Sequence, residues 1–213
     1  TMAVFDAWCD RAPVMVLGAT GPVDAAMRRP WIDWIHTSRD QAALVRNYVK
    51  WDDQPASPQA AIESVLRANR IMCRQPQGPV YIVLDVGVQE AKLDPVPIIP
   101  DVSRFNVEAD PAPTAESVQA AISMLKKSKF PLIMAGRVSR GQEDWDRRVA
   151  FVEALGANVI TNQRTAAAFP THHPLHPNDL NYRTTANDNN LIQKADVILN
   201  LDWLDFGGTL QAA

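Results

Sequence analysis

What this chain has little of narrows its class before any motif is read. Cysteine occurs twice in 213 residues, at Cys9 and Cys73. With no CxxC spacing and no third ligand nearby, two buried free thiols are the expected reading, in preference to a disulfide or a metal site. Charge of one sign is missing as well, since the formal net charge is only -3. The short basic runs "MRRP" and "LKKSK" read as solvated faces, which argues against a nucleic-acid footprint. No apolar run approaches the roughly 18 to 20 residues that a membrane span requires. A basic-then-apolar leader pattern is also lacking, so the cytoplasm is the expected compartment. Glycine is sparse at 9 residues, and neither a P-loop nor the three-glycine dinucleotide fingerprint is present.

What remains is an ordinary globular composition, 46% hydrophobic and 21% charged. The apolar residues are arranged as an α/β protein. "APVMVLG" (12–18) and "GPVYIVLD" (78–85) are continuous apolar runs, the pattern of strands covered on both faces. Between them, residues 38–48 read as a helix, with Ser38 as N-cap and Ala42, Val45 and Val49 on one side. A second helix is better signalled: Ser57 caps it, Pro58 fits its first position, and Ile62, Val65, Leu66, Asn69 and Met72 share a stripe. Prolines 95, 97, 100, 111 and 113 then mark an extended, semi-rigid connector. Thr114 opens a new helix carrying Val118, Ala121, Ile122 and Leu125. "FPLIMAG", "ANVIT" and "ADVILNLD" are strands, and a helical stripe through Trp145, Val149, Val152 and Leu155 is closed by Gly156. Strand, helix and strand in succession make a βαβ unit and require a parallel sheet. The expected fold is therefore α/β, with parallel-sheet layers flanked by helices in two units joined by the proline-rich linker. The first unit covers 1–90, the linker 91–113, and the second, Rossmann-like unit 114–213. Neither terminus reads as a domain boundary, so a piece of something longer is expected.

In such sheets ligands gather beyond the carboxyl ends of the strands. After the first strand, Gly18 and Gly21 permit close backbone approach and Thr20 offers a hydroxyl. After "FPLIMAG", Gly136, Arg137 and Arg140 are placed either to hold a nucleotide phosphate or to face solvent as turn residues. "THHPLH" gathers His172, His173 and His176, but the spacing is not that of a zinc site and no fourth ligand is near, so no metal residue is assigned. "WIDWIH" packs Trp31, Trp34 and His36 into one short stretch. The tryptophans are expected in the core or at a subunit contact. His36 is either a loop anchor or a group facing substrate.

The series "RAPVMVLGATGP", "WIHTSRDQ", "YVKWD", "GPVYIVLD", "KFPLIMAGR", "VITNQRTAAAFPTHHPLH" and "KADVILNLD" resembles the thiamine-diphosphate-dependent 2-keto acid enzymes. This family includes acetolactate synthases, benzoylformate decarboxylase and oxalyl-CoA decarboxylase relatives. Lys50-Trp51 followed by Gly78-Pro79-Val80 is the most specific part. The resemblance implies the end of a pyrimidine-binding domain and most of a central domain. It further implies thiamine diphosphate and Mg2+, a small-molecule 2-keto acid substrate, and a homodimer or homotetramer, with no membrane or nucleic-acid partner. FAD or ADP is the possible ligand of the central domain, at Arg137 and the 161–170 loop. The activating glutamate of the family would lie before Thr1, because Glu63 reads as a surface residue, and its metal site beyond Ala213. The chain alone is thus expected to be inactive. The same resemblance puts His36 where relatives carry a substrate-facing Gln or His, able to bind a carboxylate or shuttle a proton. Two departures stand out: "LDVGVQE" lacks the usual proline after the "GPV" strand, and Asp202-Trp203 replaces a glycine. Other readings are an FAD-, NAD- or ADP-binding module and a non-catalytic structural unit.

Overall fold

The structure is a computed structural model describing residues 1–107, 111–178 and 180–213. Residues 108–110 of the expected linker, and residue 179, lie outside the described residues. The chain divides into two compact units, Thr1–Pro111 and Ala112–Ala213.

In the first unit, α1 (Met2–Cys9) leads into β1 (Met15–Thr20). A 3-10 turn (Ala25–Met27) and the short helix α2 (Ile32–His36) follow. Two further 3-10 turns (Ala42–Leu44 and Arg46–Tyr48) precede β2 (Trp51–Asp53), α3 (Pro58–Cys73), β3 (Val80–Asp85), α4 (Val86–Gln89) and a last 3-10 turn (Val102–Phe105). The sheet is parallel with order β1-β3-β2. Its central strand is the continuous apolar run: Val80, Tyr81, Ile82 and Val83 are all buried. One face packs Val80 and Ile82 against Ala68, Ile71 and Met72 of α3. The other packs Tyr81 and Val83 against Ala42, Val45 and Val49.

Three expectations are corrected here. Residues 38–48 do not form an α-helix but two 3-10 turns. The apolar spacing was real, since Ala42, Val45 and Val49 are all buried, but an i, i+3 repeat suits a 3-10 turn as well as an α-helix. Cys9 and Cys73 are free but only half-buried, being set at the ends of α1 and α3 rather than in the core. The stretch after β3 is not wholly extended, because α4 and the 3-10 turn at 102–105 form where prolines are absent.

In the second unit, α5 (Ala115–Lys127), β4 (Pro131–Ala135), α6 (Gln142–Leu155), β5 (Asn158–Ile160), α7 (Ala186–Lys194), β6 (Val197–Leu201) and α8 (Phe206–Ala212) follow in order. This sheet is also parallel, with order β5-β4-β6. Leu132, Ile133, Met134 and Ala135 of the central β4 are completely buried. Ile133 and Ala135 face Val152 of α6, and Leu132 and Met134 face Ile192 of α7 and Trp203. Local signals set the helix ends. Thr114 Oγ1 accepts from Ser117 N at 3.2 Å, and Gly156 closes α6 with φ +64, the left-handed conformation that glycine adopts without strain. Among the described residues no helix is long and apolar enough to cross a membrane.

Candidate functional site

Beyond the carboxyl end of β1 the chain turns through residues 21–38, and this loop is built around one buried carboxylate. Asp33 on α2 is 2% exposed. Its oxygens receive the Arg29 backbone N–H at 2.6 Å, Arg29 Nε at 3.1 Å and Arg29 Nη2 at 3.1 Å. Those hydrogen bonds hold its carboxyl below the usual aspartate range. Arg29 Nη1 also reaches Glu90 Oε1 at 3.4 Å, tying the loop to the end of α4.

Three residues singled out in the sequence frame the same loop. Thr20 is buried, and its Oγ1 accepts from Ser38 N at 3.4 Å. The Gly21 N–H donates to the His36 carbonyl at 3.2 Å. A Cβ on Gly21 would come within 2.1 Å of Thr37 Oγ1, so glycine is required for the loop to close. Gly18 meets its own neighbour: a Cβ there would lie 2.1 Å from the Tyr81 hydroxyl, which accepts from Gln41 Nε2 at 3.0 Å.

His36 ends α2 and is exposed. Its Nδ1 lies 2.7 Å from the Ile32 carbonyl. A carbonyl can only accept, so Nδ1 carries the proton and Nε2 is left as the outward nitrogen, an acceptor when the ring is neutral and a donor when it is charged. Trp31 and Trp34 stand beside it at 70% and 82% exposure, not in the core of this unit. Trp31 has φ +52, an uncommon conformation for a bulky residue. Trp51 is half-buried and packs with Val80 and Ile82. Glu63 lies on the exposed side of α3.

In the second unit, Gly136 and Arg137 meet the Asp202-Trp203 turn. A Cβ on Gly136 would sit 2.1 Å from the Asp202 carbonyl oxygen. The Arg137 guanidinium pairs with the Asp202 carboxylate, Nε to Oδ2 at 3.0 Å and Nη2 to Oδ1 at 3.2 Å. Both residues are thereby accounted for by the chain's own turn. Arg148 of α6 carried no motif signal, yet it joins the loops after β4 and β5. It donates to the carbonyls of Ala168 at 2.7 Å, Ala167 at 2.9 Å and Ser139 at 3.2 Å. Only a count of carbonyls left without N–H partners in those loops would have pointed to it.

The histidines of "THHPLH" divide by environment. His173 Nδ1 accepts from Leu175 N at 3.2 Å, so its Nε2 is the protonated nitrogen and faces Glu153 Oε1 at 3.3 Å. His176 is 6% exposed and its Nε2 lies 2.8 Å from Thr161 Oγ1. Burial lowers its pKa below the ordinary histidine value. Among the described residues no group of three His, Cys, Asp or Glu is placed to hold a metal ion.

Comparison with known proteins gives these features a family. Residues 118–204 match the model of the thiamine pyrophosphate enzyme central domain. The sulfoacetaldehyde acetyltransferase of Rhodobacter capsulatus is 31% identical over 163 residues, which is 76% of this chain and 26% of that protein. The chain therefore spans about a quarter of the length of that relative. Among solved structures, benzoylformate decarboxylase from Polynucleobacter necessarius superposes with a TM-score of 0.70 at 24% identity, over 92% of this chain and 35% of that one. A thiamine diphosphate-dependent 4-hydroxybenzoylformate decarboxylase from Rhodococcus jostii gives 0.72 at 18% identity, over 93% and 36%.

Proposed function

Because the chain belongs to the thiamine pyrophosphate-dependent enzyme family, we propose that it forms one wall of a site where a longer enzyme cleaves or joins a carbon–carbon bond next to a keto group. The substrate class is a small 2-keto acid, and the reaction is a decarboxylation or a carboligation. Magnesium, a homodimeric or homotetrameric assembly and a cytoplasmic setting belong to the same proposal.

The anchoring groups of the coenzyme and its metal belong, on this reading, to other parts of the longer enzyme; in this chain the Arg137 guanidinium meets Asp202, and Gly18, Gly21 and Gly136 stand close to Tyr81, Thr37 and Asp202. The coenzyme supplies the electron sink in this chemistry, and the protein supplies positioning. What this chain contributes is His36. The observation that carries the reading is its fixed tautomer: the Ile32 carbonyl holds Nδ1–H, and Nε2 points outward from a loop anchored by Asp33.

The test uses the full-length enzyme with coenzyme and magnesium, turning over a panel of 2-keto acids. His36→Ala is expected to lower kcat/KM by about 100-fold, the lower end of what a positioned acid or base contributes. His36→Asn keeps an outward polar group and is expected to recover part of the KM but not the pH dependence. Unchanged kcat and KM across pH in both variants would remove His36 from the mechanism.

A further inference from the structure

α2 lacks the usual reasons for a helix to form. It has five residues, far below the roughly 12 to 15 at which a helix begins to hold by itself in water. Trp31 stands at its N-cap, and an indole has no oxygen with which to cap the first turn. Its large apolar side chains give no anchor either: Trp31, Trp34 and Ile35 fall at i, i+3 and i+4 on one face, and all three are exposed. Asp33 is the residue of α2 that is buried. A desolvated carboxylate persists only when it is paired, and Asp33 is bonded in two directions. Toward residue 29, its carboxylate takes the Arg29 fork, Nε on Oδ2 and Nη2 on Oδ1, together with the Arg29 backbone N–H. Toward residue 37, its carbonyl accepts from the Thr37 hydroxyl. One residue thus clamps the helix at both ends, and His36 hangs from the clamp. Its Nδ1 is held by the carbonyl of Ile32, next to Asp33, and its own carbonyl by the Gly21 N–H.

We infer that Asp33 is a positioning residue that acts through His36, the Asp33–Arg29 pair rather than helix propensity or apolar packing fixing where Nε2 points. This role deepens the one proposed for His36 and rests on it. A two-point guanidinium–carboxylate pair sets direction as well as distance, and on so short a helix the direction of the first turn is the direction of the last. Asp33 itself touches no reacting group, being closed off beneath Arg29.

A double-mutant cycle in the full-length enzyme tests it, with thiamine diphosphate and magnesium present and pyruvate and benzoylformate as probes. Asp33→Asn keeps an oxygen for the Arg29 N–H but removes the charge that draws in the guanidinium. Arg29, itself half exposed and still beside Glu90, is not left buried without a partner. Alone, Asp33→Asn is expected to lower kcat by about 10- to 100-fold with KM changed less than about threefold, the scale of a reacting group displaced by about 1 Å. In the His36→Ala background it is expected to change kcat by less than about twofold, because groups that act as a unit are not additive. Arg29→Gln, at an exposed position, is expected to repeat the pattern more weakly. Hydrogen exchange gives a readout that needs no turnover: Asp33→Asn should speed exchange at the Gly21 and Ile35 amides while β3 and α3 stay protected, which also shows that the unit remains folded. If His36→Ala by itself leaves kcat and KM unchanged, the reading of His36 fails and the positioning role falls with it. If His36→Ala is impaired but Asp33→Asn adds its full cost on top, or exchange across residues 21–37 does not move, the positioning role alone is overturned.

Discussion

Gly18 shows how far a single residue can be read. A glycine closing an apolar run signals that something approaches the backbone closely, and the sequence does not say what. Here the Tyr81 ring is what approaches: a Cβ on Gly18 would lie 2.1 Å from its hydroxyl and 2.6 Å from the ring carbon bearing it. Tyr81 is buried in the core of the first unit and held by Gln41, so it has no room to withdraw. Gly18→Ala is thus expected to destabilise the chain by about 1 to 3 kcal/mol, the usual cost of overpacking. Urea denaturation monitors this, and a change below about 0.5 kcal/mol, the range of neutral surface substitutions, would show that Tyr81 rotates freely. The same reasoning separates His36 from the glycines. Its type and its neighbours were legible in the sequence, but the fixed tautomer and the outward Nε2 follow from α2, a five-residue helix too short to be marked by periodicity.

At the scale of elements, caps were more legible than the segments they close. Ser57 and Thr114 start α3 and α5 at the expected positions. α8 has little propensity behind it, with Gly207 and Gly208 in its first turn, yet the Asp205 side chain receives the Gly208 N–H at 3.1 Å and starts the helix. β2 has only three residues, too few for alternation to register. α7 carries the strongest local device. The Thr185 Oγ1 accepts from Asp188 N at 3.1 Å, and Asp188 Oδ2 accepts from Thr185 N at 2.7 Å. Its other oxygen accepts from Asn178 Nδ2 at 2.6 Å, so one buried carboxylate joins the helix start to the preceding loop. Thr185→Ala is expected to cost about 0.5 to 2 kcal/mol, as loss of an N-cap does. Hydrogen exchange should show the change first in the amides of α7. Uniform loss of protection across the second unit, with none concentrated in α7, would contradict a local capping role.

The whole molecule is two parallel sheets, each with its own buried central strand, and this much was written in the runs "GPVYIVLD" and "FPLIMAG". Less of the candidate site was legible, because Asp33, Arg29 and Glu90, or Arg148 and its three carbonyls, meet only after folding. The two cores also differ in how they answer to acid. His176 is buried in the second unit beside Thr161 and under Phe169, with His173 and Asp188 as its charged or titratable neighbours. Desolvation lowers its folded pKa below the ordinary 6.5, so the unfolded chain binds the proton more readily than the folded one. Stability is then complete above 6.5 and declines as pH falls through that value toward the depressed folded pKa, with a slope of at most about 1.4 kcal/mol per pH unit for one proton. The first unit contains one histidine, His36, which is exposed. Trp145 and Trp203 report on the second unit and Trp51 on the first. Thermal melts followed at single-tryptophan variants retaining one of these residues should therefore show the second unit losing stability between pH 7 and pH 5, while the first changes little. His176→Gln keeps a polar group near Thr161 without a proton to gain, and is expected to flatten that difference. Parallel shifts of both units with pH, undiminished in His176→Gln, would place the acid-sensitive group elsewhere.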